Sequence, residues 1–355
     1  MLVAALSSLR INLRVSLDAM TSIDLDGKTI LLTGGTGSFG RQFTRTVLAR
    51  FNPRKLIIFS RDELKQYEMQ TELNPEQKET PLRFFLGDVR DVNRLEMAMR
   101  DVDYVVHAAA LKQVPAAEYN PIECIRTNVY GAENVVMASL RCHVKKVLAL
   151  STDKAASPVN LYGASKLASD KIFIAANKLS GDIGTRFSVV RYGNVLGSRG
   201  SVVPLFQRLI SEGCTEIPIT DPRMTRFWIT IDKGVQFVLN SLEMMQGGEI
   251  FIPKIPSMSV TDLAKALAPD LEHKIIGIRP GEKLHETMIT EDDARHTIEL
   301  EDRYVILPST DAKWTRDGVY ANATQVDDGF YYSSDNNTDW LDEDALRGML
   351  ESGDN

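Results

Sequence analysis

Three glycines, Gly34, Gly37 and Gly40, stand at intervals of three between an apolar run and a helical pattern. The run, Lys28 to Thr33 (KTILLT), reads as a buried strand, and helical spacing continues through Arg50. A strand that turns directly into a helix needs a tight bend and close contact between the two, and glycine permits both. The same bend exposes the first N–H groups of the helix to an anion. A glycine triplet alone is common, but between a strand and a helix it reads as a dinucleotide turn. Thr36, Ser38 and Phe39 complete this first cofactor-binding set. The fold that follows is α/β, a Rossmann-type doubly wound parallel sheet with crossover helices on both faces.

Five further strands fit that plan. Lys55 to Ser60 ends at Arg61-Asp62-Glu63. A carboxylate at this strand end suits the ribose 2′-hydroxyl of NAD, whereas an arginine suits the 2′-phosphate of NADP. Ser60 and Arg61, with Lys65 one turn on, favour NADP; Asp62 as a ribose ligand is the alternative. Leu82 to Leu86 leads to Asp88, a candidate for the adenine amine, and Val89. Tyr104 to His107 opens into Ala108-Ala109-Ala110, small enough for a nicotinamide ribose to approach. His107 reads as a packed strand-end residue. Val147 to Leu150 runs straight into Ser151-Thr152, and Arg186 to Tyr192 is followed by Asn194. Gly37, Asp88, Thr152 and Asn194 should therefore share the sheet edge formed by strand C-termini, where such sheets bind ligands.

Two acid/base pairs meet at that edge. Tyr162 and Lys166 lie one helical turn apart, so an ammonium can favour the ionised phenol, with Thr152 sharing the same substrate oxygen. That is a hydride-transfer site for a secondary alcohol. Asp153 and Lys154 form a second pair, and four ionisable groups suggest oxidation coupled to further proton transfers. For Lys154 to act as a base its pKa must fall, and burial near Lys166 is the expected cause. Further on, Arg199, Arg226 and Arg279 can each offer a forked donor set to a pyrophosphate.

The chain is 355 residues long and mildly acidic, with 48 acidic and 41 basic side chains. No polyanion-binding surface is implied, so no nucleic acid partner is expected. No apolar run is long enough to span a membrane. Cys124, Cys142 and Cys214 lack metal-ligand spacing and read as reduced thiols of a cytoplasmic protein; no metal site is expected. Residues 1–20 read as a disordered extension, 21–193 as the NADP-binding domain and 194–308 as a smaller mixed α/β substrate region crossing back to the first. Residues 309–355 read as a polar tail with a short helix, packing weakly or making oligomer contacts. Val235, Val238, Leu239 and Leu242 form a core stripe, and Ser259 to Leu267 a short helix.

Several segments carry a resemblance: TGGTGSFG (33–40), FSRDELKQ (59–66), AAALKQVP (108–115), STDKAASPVNLYGASK (151–166), RYGNVLGSRGSVVPLF (191–206) and RPGEKLHE (279–286). From about Asp24 to about Pro308 the chain resembles the extended short-chain dehydrogenase/reductases. Within them it is most similar to the inverting UDP-N-acetylglucosamine 4,6-dehydratases of pseudaminic acid biosynthesis. Thr152-Asp153-Lys154 matches the inverting group, where retaining relatives carry Thr-Asp-Glu. The resemblance implies a tightly bound, recycled NADP and a UDP-sugar substrate. It also implies a homo-oligomer of dimers assembling to a hexamer. It makes Arg279 a diphosphate ligand, Glu282 a uridine-ribose ligand and Asn194 a contact of the sugar diphosphate, and places Lys112 beside both cofactor and substrate. A retaining dehydratase or 4-epimerase and a non-catalytic NADP-binding protein are the rival readings.

Overall fold

The computed structural model describes residues 23–76, 78–198, 200–308 and 318–353. The expected extension, 1–20, lies outside them. Six strands form where the apolar runs stand: β1 Thr29–Thr33, β2 Lys55–Ser60, β3 Leu82–Leu86, β4 Tyr104–His107, β5 Lys146–Thr152 and β6 Arg186–Tyr192. Four more join the same sheet: β7 Ile250–Pro253, β8 Thr297–Glu299, β9 Arg303–Ile306 and β10 Thr324–Gln325. The order is β10-β8-β9-β7-β6-β5-β4-β1-β2-β3. Strands β1 to β7 pair in parallel, and β9, β8 and β10 extend the far edge antiparallel. The strand order reverses between β1 and β4, which opens a crevice at their C-terminal ends.

Every residue of β1 is buried, because helices cover both faces, which is why Ile30, Leu31 and Leu32 follow one another without alternation. Three helices near the cleft begin at a side-chain cap: Asp62, Asp91 and Asn160 each accept from a backbone N–H of the first turn. The helix Ser38–Arg50 begins instead at Gly37, with no side-chain cap. Its first N–H groups are left to whatever lies in the crevice.

A second, smaller core forms around Phe206, Ile219, Trp228 and Leu263. The expected stripe of Val235, Val238, Leu239 and Leu242 is buried on the helix Ile231–Met244. Ser259 caps the helix Val260–Leu267. The tail departs from the expectation of weak packing. Leu346, on the helix Glu343–Gly353, is wholly buried in the second core, and Tyr332–Ser333 pairs with Thr287–Ile289. Among the described residues no helix is long and apolar enough to cross a membrane.

Candidate active site

One cleft of about 1090 Å³ runs along the C-terminal ends of the parallel strands, and Gly37, Asp88, Thr152 and Asn194 all line it. At one end the glycine turn forms a cradle. Gly34 has φ 66°, and a Cβ there would stand 2.8 Å from Ala109 Cα; a Cβ on Gly40 would collide with the Gly35 carbonyl. Thr36, Ser38, Phe39 and Ala108 to Ala110 complete the wall. An uncapped helix start facing a cleft that side chains cannot fill fits a dinucleotide pyrophosphate.

Ser60, Arg61 and Lys65 line the adjoining stretch. Asp62 is engaged in the helix cap: its Oδ1 accepts from Lys65 N at 3.0 Å and its Oδ2 lies 2.7 Å from Lys65 Nζ. Hydrogen bonds from Lys65 hold its carboxyl below the usual value. Arg61 is half exposed, 3.9 Å from Asp88. Asp88 itself accepts from Arg90 Nε at 3.0 Å and NH2 at 2.7 Å. Val89 is buried, and Lys112 lines the cleft with its pKa lowered by burial and then by Lys154.

Thr152, Lys154, Tyr162 and Lys166 line the cleft together. Thr152 ends β5, Lys154 sits on the 3-10 turn Asp153–Ala155, and Tyr162 and Lys166 share the helix Leu161–Leu179. The turn packs on that helix because residue 163 is glycine; a Cβ there would collide with the Lys154 carbonyl. Asp153 does not face the cleft. It is completely buried, accepting on Oδ1 from Thr152 Oγ1 at 2.8 Å and Lys154 Nζ at 3.0 Å, while Oδ2 has no hydrogen-bond partner. Burial pushes its carboxyl pKa up against the pull of Lys154.

Two expectations need correction. Burial does oppose charge on Lys154, but the Asp153 and Glu286 carboxylates outweigh it, so its pKa is raised rather than lowered. Lys166 lines the cleft but spends its ammonium on the Leu150 carbonyl, donating to it at 2.7 Å. The Tyr162 phenol is accordingly not acidified here: burial pushes it up to about 12, with Lys154 and Thr152 pulling the other way. His107 is packed, as expected, with Nδ1 2.8 Å from Thr33 Oγ1 and its pKa pushed to about 3 by burial.

At the far end Asn194, Arg279 and Glu282 line the cleft, and Arg279 NH1 lies 3.8 Å from Glu282 Oε1. Arg199 lies outside the described residues. Arg226 lines the cleft but spends its fork on the backbone, donating to the Leu284 carbonyl at 2.9 Å and the Lys283 carbonyl at 3.0 Å. It clamps the turn that bears Arg279 and Glu282 rather than presenting a free fork to a diphosphate. Three contributors were not picked out from sequence. Glu286 bonds Lys154 at 3.0 Å, Lys283 donates to the Ala156 carbonyl at 2.6 Å, and Asn160 donates to the Gly281 carbonyl at 2.7 Å. Glu286 and Lys283 belong to RPGEKLHE, but nothing in that run says which charge turns inward. Asn160 carried a readable signal, a cap residue just before a helical pattern.

A family model described as polysaccharide biosynthesis protein matches residues 30–308. The chain belongs to this family. Within it, the inverting UDP-N-acetylglucosamine 4,6-dehydratase of Campylobacter jejuni is 59% identical over 330 residues, covering 92% of this chain and 98% of the relative. The crystal structure of Pen from Bacillus thuringiensis matches with a TM-score of 0.84 and 34% identity, covering 93% of this chain and 99% of that one. DesIV from Streptomyces venezuelae, a dTDP-glucose 4,6-dehydratase solved with NAD, shares the fold at a TM-score of 0.64 and 24% identity. It covers 72% of this chain and 86% of its own. Family membership, the glycine cradle and the uncapped helix together support a nicotinamide dinucleotide site.

Proposed function

We propose that this protein catalyses the 5-inverting 4,6-dehydration of UDP-N-acetylglucosamine, giving a 4-keto-6-deoxy sugar with C5 inverted, for pseudaminic acid or related surface-glycan synthesis. The observation that carries this is the meeting of Thr152, Lys154 and Tyr162 in one cleft, with the buried Asp153 carboxylate directly behind Lys154 at 3.0 Å. Near-full-length identity to an inverting dehydratase supports it. A nicotinamide dinucleotide held by the Gly34–Gly40 turn and Arg61 would supply a reversible hydride acceptor for C4 and C6 that needs no outside reductant. NADP is the form supported by Arg61 on the cleft wall and by Asp62 being engaged in its helix cap.

Tyr162 removes the proton of the 4-hydroxyl, assisted by the Lys154 ammonium and the Thr152 hydroxyl, the two groups that favour its ionised form. The resulting ketone acidifies C5–H. Lys154 removes that proton once its ammonium has passed a proton to Asp153, 3.0 Å away. The transfer leaves a neutral amine in the cleft and a carboxylic acid behind it. Because Asp153 is not on the cleft wall, its proton reaches the departing 6-hydroxyl through Thr152 Oγ1, 2.8 Å from Oδ1. Water then leaves across C5–C6. Arg279, Glu282 and Asn194 hold the UDP end, with Lys112 between cofactor and sugar.

Exposed Tyr119, Ile122 and Tyr130 support self-association, and three free thiols support a cytoplasmic setting. Purified protein should release NADP on denaturation and convert UDP-N-acetylglucosamine to a product lighter by one water. A product of unchanged mass would mean epimerisation instead.

A further inference from the structure

The turn that follows Arg279 carries a carboxylate to which the reaction above gives no part. Glu286 is 2% exposed, and its Oε1 stands 3.0 Å from Lys154 Nζ and 3.8 Å from Arg226 Nε. Its backbone is pinned by the tail: Glu286 N–H donates to Ser334 Oγ at 2.9 Å, and Ser334 N–H donates to the Glu286 carbonyl at 2.8 Å. Ser334 Oγ also lies 2.7 Å from Thr225 Oγ1 and donates to the Thr225 carbonyl at 3.1 Å. The strand Thr225–Ile229, which carries Arg226, therefore shares the same anchor.

The two carboxylates on Lys154 do different work. Asp153 belongs to the same turn and moves with it, so it cannot fix where the four-carbon stem points. Glu286 comes from a separate segment and acts as an external strut. We propose that Glu286, anchored by Ser334, is the positioning residue that holds the Lys154 amine in the cleft and governs the release of its proton. This rests on reading Lys154 as the C5 base.

The surroundings define the effect. Lys154 faces Asp153 from its own turn, Tyr162 from the neighbouring helix and Lys112 from the loop after β4. Arg226 faces it from its strand, and Lys283 and Glu286 from the turn. Among these, Asp153 and Glu286 favour the ammonium, while Lys112, Arg226 and Lys283 oppose it. With one carboxylate neutralised, the pull toward the ammonium weakens and the amine loses its proton at lower pH.

The test is acetylation of Lys154 by acetic anhydride in the full-length protein, followed by peptide mass spectrometry from neutral to strongly alkaline pH. The midpoint reports protonation and the plateau reports access, so mere loosening of the site raises the plateau without moving the midpoint. Glu286→Gln should lower the midpoint by about one unit, which is about tenfold faster labelling at a fixed pH below it. Ser334→Ala should move it the same way by less, and Glu286→Asp should restore most of the shift. A Glu286→Gln protein that melts like the wild type with an unmoved midpoint overturns the proposal. If that variant does not fold, an unmoved midpoint in Ser334→Ala does so. A wild type that leaves UDP-N-acetylglucosamine intact yet shows these shifts sinks the reaction and keeps the Glu286–Lys154 link.

Discussion

In the proposed reaction Tyr162 acts at C4, whereas Lys154 assists there as the ammonium and acts at C5 as the amine, so single substitutions should separate the two steps. Lys154→Ala should still oxidise C4, though more slowly without the ammonium beside Tyr162, so a 4-keto sugar accumulates with the enzyme and is trapped by borodeuteride, while dehydration falls by about 10²–10⁴-fold. Tyr162→Phe should trap no ketone. Normal dehydration by Lys154→Ala would remove it as the C5 base. His107 yields a prediction about stability. Its folded pKa is about 3, against an ordinary value of 6.5, chiefly because burial disfavours the charged ring. Between those values the unfolded chain binds a proton that the folded one does not, so stability is lost as pH falls through this window. Each unit of that shift is worth about 1.4 kcal/mol. Urea midpoints of His107→Gln should therefore fall less than those of the wild type between about pH 7 and pH 5. Residue identity made the meeting of Thr152, Lys154, Tyr162 and Lys166 legible, because Thr-Asp-Lys and Tyr-x-x-x-Lys are local patterns. The charge states were not legible. They depend on Glu286, which is 132 positions from Lys154 in sequence and 3.0 Å away in space.

At the scale of elements, the site is a strand end, a 3-10 turn and a helix held together at Gly163. A Cβ there would press on the Lys154 carbonyl, and the turn, rather than the long helix, would have to give. Gly163→Ala should cost about 1–3 kcal/mol in stability, the scale of overpacking. It should lower turnover by about 10²-fold through misplacing Lys154. Full activity with unchanged melting would contradict that packing. The six parallel strands were legible as apolar runs, since strands buried on both faces need no alternation. Strand β7 and the antiparallel β8 to β10 were not. They are short, and only pairing with the existing sheet edge distinguishes them from loops.

The whole molecule is tied together from its C-terminal end more firmly than a polar composition suggests. Leu346 is wholly buried in the second core, so Leu346→Ala should lower unfolding free energy by about 2–5 kcal/mol, measurable by denaturant titration. A loss under about 0.5 kcal/mol would mean that the terminal helix only rests on the surface. The tail's polar composition hid this role, although Leu341, Met349 and Leu350 pack beside Leu346 on the second core and Ser334 ties the tail to Glu286. The central claim is that one cleft oxidises C4, removes the C5 proton and returns a proton to the opposite face. Incubating the protein with UDP-N-acetylglucosamine in deuterated water and reading the product by NMR tests it most directly. The account predicts a 4-keto-6-deoxy sugar with deuterium at C5 and inverted configuration there. A 4-keto-6-deoxy product with retained C5 configuration, or a C4 epimer without loss of water, would contradict it.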